Sequence, residues 1–123
     1  VKHFIDRQQL SMNTGQDAEL AAEVLEIFRE QIDTWGKMLD PKSPPERWAD
    51  AAHTLKGGAL GIGAIELAEV CKIAEQAGRA ETAPSGTEAA LLLNDIRDVM
   101  LPTLEEVAKI IHEISVSGSF RAS

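Results

Sequence analysis

The chain has 123 residues, 44% of them hydrophobic and 26% charged, which suits one compact domain and leaves no room for most nucleotide-binding enzymes. Its 12 Lys plus Arg against 20 Asp plus Glu, a net charge of -8, work against the phosphate neutralisation on which nucleic-acid affinity rests. A single cysteine, Cys71, excludes an internal disulfide, and no apolar run is long enough to span a bilayer; the expectation is a soluble, cytoplasmic monomer that binds neither nucleic acid nor membrane.

Aromatic residues are scarce and Ala, Leu, Ile and Glu recur, a composition that favours helices over strands. The segment before Met12 predicts at most a short helix. From Asp17 to Leu39, apolar residues at Leu20, Val24, Ile27, Phe28, Ile32, Trp35 and Leu39 recur at three- and four-residue spacing, the mark of an amphipathic helix. Thr14 stands where it can cap the start, and Asp40-Pro41 closes it. Ser43-Pro44-Pro45-Glu46 carries a capping-box pattern with proline at the first helical position, so a second helix opens there and runs through Trp48, Ala52, Leu55, Ala59 and Ile62. Ala64, Leu67, Ala68, Cys71 and Ala74 define a third, ending near Gly78 before a polar loop from Ala83 to Gly86. Ser85 and Glu88 form another capping box. The long last helix carries Leu92, Ile96, Val99, Leu104, Val107, Ile111 and Ile114, with a kink expected at Pro102. Residues 117–123 read as an unstructured, flexible tail.

Four amphipathic helices with short connections and no strand pattern predict an all-α fold, an antiparallel up-down four-helix bundle with a helical core over about 17–115. The whole of 1–123 is then a single domain.

Within the second helix, His53-Thr54-Leu55-Lys56-Gly57-Gly58-Ala59-Leu60-Gly61-Ile62-Gly63 breaks the rule that helices avoid glycine. Each interior glycine costs about 1 kcal/mol relative to alanine, so something must require the missing side chains. With Trp48 at zero on a helical wheel, the core stripe runs from about 300° through zero to about 40°, whereas His53 falls near 140°, Lys56 near 80°, Gly57 near 180° and Gly61 near 220°. The imidazole therefore points outward, with a cation and bare backbone beside it. Ala49 and Leu60 extend that face, so Ala49, Leu60 and Gly61 are the expected partner-binding positions. Gly58, nearest the core stripe, is expected to serve helix packing, and Cys71 to be a buried small hydrophobe.

An unperturbed histidine titrates near 6.5 and offers a neutral ring nitrogen as nucleophile, with no separate base required. A flat face carrying one nucleophile suits docking against a protein better than enclosing a small molecule. Phosphoryl transfer fits: Lys56 would stabilise charge on the arriving oxygens, and Gly57 would let a partner's active site come close. No nucleotide-binding loop, hydrolase elbow or metal-ligand spacing is present.

This segment resembles the signature of the histidine-containing phosphotransfer (HPt) domains of bacterial and fungal phosphorelays, H-x-L-K-G with a further glycine downstream, matched by His53, Leu55, Lys56, Gly57 and Gly63. The similarity continues through Leu67, Cys71, Glu75 and Gly78-Arg79 and covers roughly residues 18 to 115. The resemblance implies a four-helix bundle in which His53 takes a phosphoryl group from a receiver-domain aspartyl phosphate and passes it on. It further implies partners among response-regulator receiver domains and hybrid histidine kinases, a Mg²⁺ ion held by the receiver rather than by this chain, and no autonomous kinase activity. Two positions depart from the pattern: Gly58 and Ala59 stand where serine is common, and Glu75 stands where some members have another polar residue reaching towards the histidine. A carboxylate there could orient the imidazole but would repel a bound phosphate. The alternative is a helical docking or scaffold module with no phosphoryl traffic.

Overall fold

The structure, a computed structural model, describes residues 2–122. Its elements in chain order are α1 (Arg7–Asn13), α2 (Ala18–Trp35), a 3₁₀ turn (Gly36–Met38), α3 (Pro45–Ile62), α4 (Ile65–Gly78) and α5 (Gly86–Ser117). The described residues contain no strand. Helices α2 to α5 form the bundle, with α1 packed across its end against α2 and α3.

The ends of the helices follow the side chains that satisfy their free backbone groups. Asp6 caps α1 by accepting from the Gln9 amide, and Asp17 caps α2 by accepting from the Leu20 amide. Thr14, expected to cap α2, ends α1 instead; its hydroxyl donates to the Leu10 carbonyl at 2.8 Å and is spent there. Gly15 and Gln16, both at positive φ, then reverse the chain into α2. The expected box before α3 also fails to form, because the helix opens at Pro45 with Pro44 in the capping position, and the Ser43 hydroxyl donates to Asp40 O at 2.7 Å instead. Ser85 caps α5 as its sequence predicts, accepting from the Glu88 amide.

The core contains Leu25, Phe28, Trp48, Leu55, Ile62, Leu67, Leu93, Ile96 and Ile110. Two predicted stripes shift. On α2 the buried residues are Ala21, Leu25, Phe28 and Ile32, whereas Leu20 and Ile27 are 41% and 54% exposed. On α5 the buried line is Ala89, Leu93, Ile96, Met100, Thr103, Val107 and Ile110, an unbroken four-three alternation, and Leu92, Val99, Leu104, Ile111 and Ile114 flank it. Pro102 lies inside α5 without ending it.

The terminal segments return onto the bundle. Arg7 donates to Glu113 at 2.7 Å and to Glu106 at 3.4 Å, while the Phe4 amide donates to the nearly buried Glu106. Beyond Gly118 the chain leaves the helix, as the sequence predicts, but Phe120 packs against the core and the Arg121 amide donates to Glu113. Val1 and Ser123, the outermost residues of the expected domain and tail, lie outside the described residues.

Two glycines, Gly63 and Gly78, let the backbones approach closely, and a third, Gly58, meets side chains of α2. Gly63 ends α3 at φ 79°, a left-handed conformation that disfavours side chains, and its carbonyl accepts from the Asp6 amide at 2.7 Å. Gly58 faces Phe28 and Gln31 of α2. Gly78 lies where a Cβ would come within 2.8 Å of both the Ala49 Cβ and the Trp48 ring, so α3 and α4 meet almost backbone to backbone there. We expect Gly78→Ala to cost about 1–3 kcal/mol through overpacking against the rigid indole, read as a lower midpoint in urea unfolding; an unchanged midpoint would mean that this crossing is not tight.

Candidate functional site

The contact at Gly78 sets α4 alongside the first half of α3, and the side chains on the seam meet on one carboxylate. Glu75 projects from α4, three residues before Gly78. Its Oε2 lies 2.8 Å from His53 Nδ1 and 3.1 Å from Arg79 Nε, and its Oε1 accepts from Lys56 Nζ at 2.8 Å. Arg79 reaches back across the seam to donate to Asp50 Oδ1 at 2.9 Å. Asp50, His53 and Lys56 follow one another at three-residue spacing along α3, and Glu75 on α4 stands four residues before Arg79, which caps the end of that helix, the spacing at which helix side chains meet.

The environment divides the labour. The His53 side chain is 61% exposed, Lys56 is half-buried and Glu75 is only 13% exposed. Burial acts to raise the Glu75 pKa, but the hydrogen bonds from Lys56, Arg79 and His53 prevail and hold it down to about 2. The group is therefore a carboxylate at any working pH, and a carboxylate only accepts, so the network assigns the histidine proton to Nδ1. The Nε2 lone pair is left free of any partner in this network. Arg79 is pushed above its ordinary value by its bonds to Asp50 and Glu75. Cys71, buried behind this cluster, has its thiol pushed up to about 12, chiefly by burial, so it stays protonated and inert.

The structure brings His53 and Lys56 together through Glu75 rather than side by side. Beyond them, a Cβ built on Gly57 or Gly61 meets no atom within 4 Å, so nothing inside the protein requires glycine at either position. Leu60 is half exposed. Ala49 is a correction: it is wholly buried, because α4 closes over that flank at Gly78, and no partner can touch it. Sequence reasoning missed Asp50, gave Arg79 no role beyond its place in the similarity, and undervalued Glu75. A signal existed for Asp50, which stands one turn before His53 on the same face, and for the Glu75–Arg79 spacing; what joins the two helices is visible only in three dimensions.

Among the described residues no group of three or more His, Cys, Asp or Glu is placed to hold a metal ion, and none of their helices is long and apolar enough to cross a membrane. A helical bundle that presents a solvent-facing histidine backed by a carboxylate and flanked by lysine and bare glycine belongs to a recognisable class of histidine-bearing domains. The chain is a member of the Hpt domain family, whose model matches residues 18–101. It is similar to the crystal structure of the histidine phosphotransferase ShpA from Caulobacter crescentus, with a TM-score of 0.74 and 33% identity over 94% of this chain and 98% of that one. A search of curated proteins finds no match.

The depressed Glu75 carboxyl links stability to pH. The folded state binds its proton only near pH 2, whereas an unfolded carboxyl does so near 4.5, so the stability it contributes is complete above that value and is lost as the pH falls from 4.5 towards 2. In thermal melts, the wild type should lose stability over that window more steeply than Glu75→Gln. Glu113, also lowered against its burial by Arg7 and Arg121, leaves a residual slope in both; parallel curves would contradict the ion-paired state of Glu75.

Proposed function

We propose that the chain is a phosphocarrier of a two-component phosphorelay, in which His53 Nε2 accepts a phosphoryl group from a receiver-domain aspartyl phosphate and returns it to the aspartate of another. The observation that carries this reading is the solvent-facing His53 with Nδ1 held by the Glu75 carboxylate at 2.8 Å. That hydrogen bond fixes the tautomer and matches the positive charge that the ring acquires when Nε2 is phosphorylated. Lys56, one turn along, supplies an ammonium for the phosphoryl oxygens.

The surroundings suit a macromolecular donor. Gly57 and Gly61 leave the backbone of α3 bare. Leu60 of α3 and Leu20 and Ile27 of α2 add exposed apolar surface. Gln31 of α2 abuts Gly58 of α3, so the two helices adjoin beside this surface. The partners are receiver domains and hybrid histidine kinases; the receiver brings the acyl phosphate and its Mg²⁺, and this chain works as a monomeric carrier with no kinase activity of its own. Such traffic places it in the cytoplasm.

Incubation with a phosphorylated receiver domain tests the reading. Wild type should gain acid-labile label and His53→Gln should gain none; receiver binding without label in either form would favour a docking module instead. Lys56→Ala should charge at least about tenfold more slowly with its fold intact. Gly57→Ala separates stability from function: it should gain about 0.5–1 kcal/mol in chemical unfolding, yet accept phosphate from a receiver far more slowly than from phosphoramidate, which is too small to need the cleared backbone. Equal slowing with both donors, or with neither, would remove the clearance role.

A further inference from the structure

Two cations compete for one carboxylate at this site. Lys56 Nζ holds Glu75 Oε1 at 2.8 Å, and Arg79 Nε holds Oε2 at 3.1 Å, the oxygen that also meets His53 Nδ1. An ammonium that serves the phosphoryl group has to move off Glu75 or share itself, and a largely buried carboxylate stripped of its partners is costly. Arg79 is built to stay. Its guanidinium is a planar fork bonded at both ends, to Glu75 of the helix that Arg79 caps and to Asp50 across the seam at 2.9 Å, whereas Lys56 is a point charge on a flexible stem.

We propose that Arg79 is a positioning residue for phosphoryl transfer: clamped between Asp50 and Glu75, it keeps the carboxylate on His53 Nδ1 while Lys56 moves from Glu75 to the phosphoryl group arriving at Nε2. This rests on the reading of His53 as the phosphoryl acceptor. In the step, the Nε2 lone pair forms the N–P bond as the P–O bond of the donor acyl phosphate breaks, and that bond's electron pair leaves on the donor's carboxylate. The ring keeps its Nδ1 proton, hydrogen-bonded to Glu75, and becomes positively charged. The phosphoryl group carries about two negative charges, enough to draw the ammonium away. Every charged group in the cluster then has a place: Asp50 anchors Arg79, Arg79 holds Glu75, Glu75 matches the ring, and Lys56 answers the phosphate.

Arg79 and Asp50 are 44% and 65% exposed, so their replacement should leave the fold intact while changing the chemistry. The test is a double-mutant cycle on the full chain, charged with phosphoramidate and with a phosphorylated receiver. Arg79→Gln should slow charging about tenfold when Lys56 is present and less than about twofold in the Lys56→Ala background. Asp50→Asn, which frees the far end of the clamp, should slow charging in the same direction by less, and it keeps the test usable should Arg79→Gln fold poorly. Equal losses in both backgrounds, the mark of a merely structural part, would overturn the proposal, as would no loss in either variant. Wild type that takes no label from either donor would refute the carrier reading itself; a labelled wild type that Arg79→Gln matches would refute only the role of Arg79.

Discussion

One shared carboxylate organises the working face of this protein. Glu75 receives hydrogen bonds from His53, Lys56 and Arg79 at once, and through them it decides which ring nitrogen is free, where the ammonium waits and which cation bridges the helices. The burial that would penalise a lone carboxylate strengthens its bonds here, since the charge is matched by donors from both sides of the seam. None of this survives a wider gap between α3 and α4. The distance is set at Gly78, where the Trp48 ring and Ala49 occupy the space a side chain would take, and at Gly63, whose left-handed turn folds α4 back along α3.

The glycines of α3 and α4 divide into those the fold needs and those it does not. Gly63 and Gly78 each face backbone or packed side chain that a methyl group would strike and Gly58 meets the movable end of Gln31, whereas Gly57 and Gly61 look onto open space. Glycine in a helix interior weakens it by about 1 kcal/mol, so the two open positions are a cost that no internal contact repays. They lie about one turn and just over two turns from His53 on its exposed side. In the proposed function, this bare backbone beside an exposed imidazole is what lets a partner bring a reacting atom within bonding distance.

Much of this was legible in the sequence, because helical period and helix-breaking residues are local signals. The four bundle helices, the outward angle of His53, the packing role of Gly58 and the buried Cys71 follow from spacing alone. The misreadings arise where neighbours decide. Leu20 and Ile27 share a stripe with Val24 but stand clear of any helix that could cover them, and on α5 the small Ala89 and the hydroxyl-bearing Thr103 occupy core positions, the latter satisfied by the Val99 carbonyl at 2.7 Å. Ala49 faces the same flank as His53 on a helical wheel, yet α4 closes over one and not the other. Thr14 and Ser43 suit capping by residue type but stand outside the capping positions, which Asp17 and Pro44 hold, and their hydroxyls donate to nearby carbonyls. The Glu75 cluster spans two helices and so has no period to read.

The account stands on the assignment of Nε2 as the reacting atom, and heteronuclear NMR on the ¹⁵N-labelled, phosphorylated chain tests that most directly. Phosphorus coupled to Nε2 of His53, with a proton retained on Nδ1, is the predicted result. Phosphorus on Nδ1, or an unmodified ring carrying its proton on Nε2, would mean that Glu75 does not direct the histidine as described.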